Sequence, residues 1–173
     1  MPDTAPTFDP YITGLLETLG SREPLQVLAE TPDALRRGIA GLSEQQLSKA
    51  EAPGKWSARQ MLAHLGDSEL VGAFRFRMIL AHDRPVLPGY DQDAWAGHLG
   101  YDQADVATVL NTFTALRGAN LRLLERTTPE EQQRIGLHSE RGPESLGFLM
   151  KLYAGHDLVH LRQLARIRAA AGA

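Results

Sequence analysis

Residues 155–163 read Gly155-His156-Asp157-Leu158-Val159-His160-Leu161-Arg162-Gln163. Side chains four positions apart stack on one face of an α-helix, so the imidazoles of His156 and His160 can reach a single point in space. Leu149, Tyr153, His156, His160, Gln163 and Ile167 share one stripe of a helix predicted over about residues 144–170, and that stripe faces the core. Two unpaired imidazoles inside a core would be costly. A second predicted helix carries a matching anomaly, because the stripe Met61, His64, Ser68, Val71, Arg75, Met78 is apolar apart from His64, Ser68 and Arg75. His64, His156 and His160 are therefore candidate ligands of one divalent ion. Three protein donors leave such an ion an open position, which suits catalysis better than scaffolding.

Working outward, the chain reads as four long helices. The first spans Pro24 to Leu42, kinked or restarted at Thr31-Pro32-Asp33. Ser57 with Gln60 three residues on forms a capping box that opens the second, whose apolar pattern runs from Met61 to Leu80. Ser43-Glu44-Gln45-Gln46 and Thr128-Pro129-Glu130-Glu131 each start a short turn. The third helix is predicted from about Gln103 to Arg126 with Val106, Leu110, Phe113, Leu116 and Leu123 on one side, and the fourth from Glu144 to Ala170. No segment of strand period is long enough to predict a sheet.

The histidines also indicate how the helices run. His64 sits about 9 Å from the start of the second helix and His160 about 15 Å from the end of the fourth, so their levels match if those helices are antiparallel. A simple up-down-up-down bundle would make them parallel. The segment from His82 to Asp102 holds Pro85, Pro88, Gly89, Gly97 and Gly100, far longer than the usual connection of about 2–8 residues. It is predicted to cross the bundle, giving an all-α four-helix bundle of up-down-down-up order.

Composition narrows the function classes. A chain of 173 residues is most simply one domain, with residues 1–22 as an N-terminal extension. With no cysteine, metal ligands must be nitrogen or oxygen and any thiol must come from outside. A net charge of −3 with scattered basic residues argues against nucleic acid as a partner. The absence of a long apolar run or a signal-like N-terminus argues against membranes, and a cytoplasmic location is expected.

The His156–His160 segment matches known metal motifs poorly. It has Asp157 where a zincin has glutamate, and no downstream third ligand among the 13 residues after His160. His82, His98 and His138 fall in predicted loops, where a solvated imidazole needs no explanation. Asp67 and Glu69 are candidates to orient His64 from outside the ligand set. Arg75, about 16 Å along the axis from His64 at nearly the same rotational position, is placed to meet an anionic part of a substrate.

The stretch Gly54-Lys55-Trp56-Ser57-Ala58-Arg59-Gln60-Met61-Leu62-Ala63-His64-Leu65, taken with residues 155–163, resembles the DinB-like (YfiT-type) metalloprotein superfamily over nearly the whole chain. The resemblance implies a four-helix bundle holding zinc or nickel on His64, His156 and His160, with Trp56 packing the start of the second helix. It also implies a choice of reactions. The leading expectation is a metal-dependent thiol S-transferase, in which the ion activates a bacillithiol-type thiol toward an electrophile. Arg75 would steer that acidic thiol and Tyr153 would donate a proton or hydrogen bond. Alternatives are a metal-dependent hydrolase, or a non-catalytic, stress-related binding protein whose ion stabilises helix packing. A homodimer is expected, because the third helix carries apolar side chains on more than one side, including Phe113, Leu121 and Leu124, and the second displays Phe74 and Phe76 away from the His64 stripe, whereas a lone bundle buries one stripe per helix.

Overall fold

The computed structural model describes residues 9–172. Eight α-helices occur among them: α1 (Pro10–Leu19), α2 (Pro24–Ile39), α3 (Glu44–Leu47), α4 (Ala58–Ala81), α5 (Gln92–His98), α6 (Val106–Leu124), α7 (Pro129–Gln132) and α8 (Leu146–Ala170). The capping boxes form as the sequence indicates. Ser57 Oγ accepts from the Gln60 N–H at 3.3 Å while Gln60 Oε1 accepts from the Ser57 N–H at 3.0 Å, satisfying two amides at the start of α4.

Of the two expectations at Pro32, a kink or a restart, the restart does not occur. Helix α2 continues through it, although proline supplies no N–H to the carbonyl four residues back. That carbonyl belongs to Leu28, and Arg117 Nη1 of α6 donates to it at 2.8 Å instead. Thr31 Oγ1 likewise donates to Val27 O at 2.9 Å. A side chain 89 positions away thus supplies the missing donor, which no local reading of α2 could anticipate.

Long helices α2, α4, α6 and α8 make the bundle, and their contacts give its topology. Phe76 lies against Tyr153 while His64 lies against His156 and His160, so α4 and α8 are antiparallel. Glu69 meets Arg117 and Arg77 meets Asn120, so α4 and α6 run parallel. Arg117 reaches Leu28 and Arg36 reaches Thr114, so α2 opposes α6. The order is up-down-down-up, and the segment after α4 returns along the bundle until Tyr101 donates to Asp67 at 2.6 Å. Apolar packing divides into two clusters, one around Phe76, Leu149 and Leu152, the other around Leu35, Met61, Phe113 and Leu164. Between them α4, α6 and α8 present the buried polar residues His64, Glu69, Arg117, Asn120, His156 and Asp157.

One expectation is corrected, and the structure adds detail to two others. A small sheet does form: β1 (Val86–Leu87) pairs parallel with β2 (Ile135–His138), which pairs antiparallel with β3 (Gly142–Ser145). Its strands are too short, and too rich in glycine and proline, to show a period of two. Gly136 is required within it, because a Cβ there would lie 2.9 Å from Ile79 Cγ1. The segment set apart as an extension contains α1, whose Ile12, Leu15 and Leu19 are buried in the core; residues 1–8 lie outside the described residues. Helix α1 packs so closely on α8 at Gly155 that a Cβ there would collide with the Leu15 carbonyl. Finally, Phe76, Phe113 and Leu124 are buried within the monomer and Leu121 packs against its core, so of the five apolar residues offered for a dimer only Phe74 is exposed, with Leu70 beside it. No helix among the described residues is long and apolar enough to cross a membrane.

Candidate metal centre

Helix α4 starts at a firm cap, and His64 is in its second turn; α8 carries His156 and His160 one turn apart on the face turned toward it. The structure brings the three predicted ligands together. His156 Nε2 lies 3.0 Å from His64 Nε2 and 3.2 Å from His160 Nε2, and a ligating nitrogen from each ring lies within 4.8 Å of the other two. His160 Nδ1 faces Gln163 Oε1 at 2.9 Å, so Nδ1 carries its proton and Nε2 presents a lone pair. Nδ1 of His64 and Nδ1 of His156 are buried with no hydrogen-bond partner.

This donor set fits a cation. Protonating Nε2 of His64 or His156 leaves an unsatisfied Nδ1, whereas protonating Nδ1 crowds bare lone pairs together and leaves the N–H unpaired. A positive ion among the Nε2 atoms removes the lone-pair repulsion. Burial lowers the pKa of His64 to about 3, with the charge of His160 adding to the effect. Burial likewise holds His156 well below its ordinary value and lowers His160, so all three are neutral donors at neutral pH. Trp56 lies against His64 with ring centroids 5.0 Å apart and meets Tyr101 edge-on at 6.3 Å. It therefore walls one side of the centre besides packing the start of α4.

Asp67 and Glu69 do not orient His64. Asp67 accepts from the Tyr101 hydroxyl, and Glu69 accepts from Arg117 Nη2 at 2.8 Å and Asn120 Nδ2 at 2.7 Å. Arg117 also forks onto Asp157, with Nη1 to Oδ2 at 2.6 Å and Nη2 to Oδ1 at 3.2 Å. Burial opposes the charge on Arg117, but the two carboxylates outweigh it and raise its pKa. Sequence reading missed this network. Its signal was present in Glu69, Arg117, Asn120 and Asp157, four polar residues on faces that the bundle must bury, but nothing local says that they pair.

A cavity of 640 Å³ opens beside His64 and His156 and extends past Ser68 to Arg75, Tyr90 and Tyr153. Its volume is in the range of small-molecule sites. Gly72 makes room in this wall, since a Cβ there would lie 2.7 Å from Tyr153 Cε1. Burial raises the pKa of Tyr153, so the phenol keeps its proton. His138, predicted in a loop, is instead a buried member of β2 whose Nε2 meets Arg75 Nη2 at 3.1 Å. His98 ends α5, and His82 follows α4.

Comparisons with known proteins agree with this architecture. A proposed metal-dependent hydrolase of Oceanobacillus iheyensis is 27% identical over 160 residues, covering 92% of this chain and 90% of its own. YfiT of Bacillus subtilis, also named as a proposed metal-dependent hydrolase, is 29% identical over 147 residues, or 82% of each chain. The solved structure of YfiT, described as having an unusual four-helix bundle topology, matches with a TM-score of 0.81 at 24% identity, covering 99% of this chain and 93% of that one. The sequence profile of the DinB superfamily matches residues 28–164, which include all three histidines and the four bundle helices nearly entire, and the chain belongs to that superfamily.

Proposed function

We propose that this chain is a metal-dependent enzyme in which His64, His156 and His160 hold one divalent ion beside a substrate cavity. The observation that carries the reading is the convergence of three imidazole Nε2 atoms, two of them on His64 and His156, which line a 640 Å³ cavity. Zinc or nickel suits an all-imidazole donor set. When bound, such an ion supplies Lewis acidity, lowering the pKa of a water or thiol placed against it. The chain's own residues do the rest. Burial keeps the three imidazoles deprotonated, Gln163 holds the ring of His160, and Tyr153 presents a protonated hydroxyl to whatever occupies the cavity.

Metal-dependent hydrolysis is the reaction class that the relatives' names support. A second reading, transfer of a bacillithiol-type thiol to an electrophile, is supported by a cavity roomy enough for an organic nucleophile and by a chain without cysteine. Both are tested on one preparation. Protein stripped by chelator and reloaded with zinc or nickel is assayed for hydrolysis of a chromogenic ester panel and for conjugation of a low-molecular-weight thiol to an alkyl halide. Metal-dependent turnover of the esters supports the first reading and of the conjugation the second. Stoichiometric metal binding without either activity would leave the ion a stabiliser of helix packing, and failure to bind metal would refute the proposal.

A further inference from the structure

Two guanidinium groups are buried in this bundle, on Arg117 and Arg75, and the fold treats them in opposite ways. Arg117 is held by two carboxylates. Arg75 has none: no carboxylate of the described residues forms an ion pair with it. Its Nη2 donates to the Pro88 carbonyl at 2.6 Å and meets His138 Nε2 at 3.1 Å, while its Nε is buried without a hydrogen-bond partner. Burial, then the charges of Arg141 and Arg75, lower the pKa of His138, so this neighbour is neutral too. A buried cation among neutral groups is costly unless a counter-ion completes it.

Other charged groups on the cavity wall do not serve as that counter-ion. Glu144 is taken by Arg141, which donates to it at 2.6 and 2.9 Å. Asp9 accepts from the Tyr11 N–H at the start of α1, and Glu140 is exposed. The Tyr153 hydroxyl lies beside Arg75 and supplies a second donor. Arg75 follows His64 by eleven residues on α4, about three turns, so both project from nearly the same side of the helix into one cavity.

We propose that Arg75, with the Tyr153 hydroxyl, is an anion-binding subsite, so that the substrate carries a carboxylate or phosphate group seated on this guanidinium while its reacting end lies at the three histidines. The placement of the reacting end rests on the metal-site reading. The anion subsite does not. A planar guanidinium fork matches either anion in bidentate fashion, which a lysine would not reproduce.

The test uses metal-free protein at pH 7.5 in chloride-free buffer, so that neither an ion nor a protonated imidazole competes for the anion. Inorganic phosphate and succinate are titrated calorimetrically into wild type, Arg75→Met, Arg75→Lys, His160→Ala and the surface control Arg36→Gln. Wild type should bind one anion per chain saturably, and the tighter of the two ligands identifies the group that the substrate carries. Arg75→Met should weaken binding at least tenfold and Arg75→Lys at least threefold, with Arg36→Gln unchanged. Metal-free His160→Ala should keep the anion, while elemental analysis of the same variant after metal loading should show the metal lost, which separates failure of the metal-site reading from failure of this one. No saturable binding by wild type, or equal binding by Arg75→Met, overturns the proposal. Should Arg75→Met not fold, equal affinity in Arg75→Lys overturns it.

Discussion

Replacing Arg117 with methionine should be among the most damaging single changes available in this chain. The guanidinium joins α6 to Glu69 on α4, to Asp157 on α8 and to the Leu28 carbonyl on α2, and lies 4.7 Å over the Phe113 ring. Its side chain is only 3% exposed, and those of Glu69 and Asp157 2% and 1%. Methionine would leave two buried carboxylates without a counter-charge, and breaking such a pair costs about 3–5 kcal/mol. The Leu28 carbonyl, which Pro32 already deprives of its helical donor, would lose its replacement at a cost of about 1 kcal/mol more. Against a typical domain stability of about 5–15 kcal/mol, a loss of roughly 4–6 kcal/mol lowers Tm by roughly 10–20 °C. Circular dichroism of metal-free protein in heat and urea measures both quantities. Two further variants identify the cause. Pro32→Ala should restore about 1 kcal/mol in the Arg117→Met background by returning an N–H to Leu28. Adding Glu69→Gln and Asp157→Asn should recover roughly 2 kcal/mol by removing the stranded charges. A loss below about 1 kcal/mol for Arg117→Met, or no recovery in the charge-neutral triple variant, would refute the reasoning.

Single alanine replacements of His64, His156 and His160 should each remove stoichiometric zinc or nickel binding in elemental analysis while leaving a helical protein, and undiminished binding in all three would defeat the assignment. Metal-free protein should lose stability as pH falls below about 6.5. The folded-state pKa values of these histidines are depressed, His64 to about 3, so the unfolded chain binds more protons between the two values and each pH unit costs up to about 1.4 kcal/mol per histidine. A urea midpoint unchanged between pH 7 and pH 5 would contradict this. Gly155→Ala should push α1 off α8, destabilising by about 1–3 kcal/mol and speeding amide exchange in residues 12–19; exchange rates matching wild type would show that the helices adjust without separating. The homodimer expected from sequence now rests on exposed Leu70 and Phe74, one turn apart on α4. Sedimentation equilibrium should give twice the chain mass for wild type and 19.0 kDa for Phe74→Glu, and a wild-type mass of 19.0 kDa would exclude it.

Much of this molecule is written in local patterns. Periodicity and capping residues placed the four bundle helices to within a few positions, because a helix is closed by partners three and four residues away. The i, i+4 spacing of His156 and His160, with the axial level of His64, selected the three imidazoles and, through the requirement that they meet, the direction of each helix. The long Pro/Gly-rich connection after α4 allowed that direction. What only the tertiary structure decided are pairings across large sequence separations. Arg117 reaches 40 residues to Asp157, 48 to Glu69 and 89 to Leu28, and no periodicity within a single helix specifies which buried charges will share a partner. β1 pairs with β2 although Val86 and its partner Leu137 are 51 positions apart, and neither strand is long enough to announce itself alone. Helix α1 is held by backbone approach at Gly155, a contact visible only once α8 is beside it. Arg75 shows the division within one residue. Sequence put it on the inward stripe of α4, and packing alone left its guanidinium buried there without a carboxylate, because the charge on a side chain is local while its neutralisation depends on what the fold brings near.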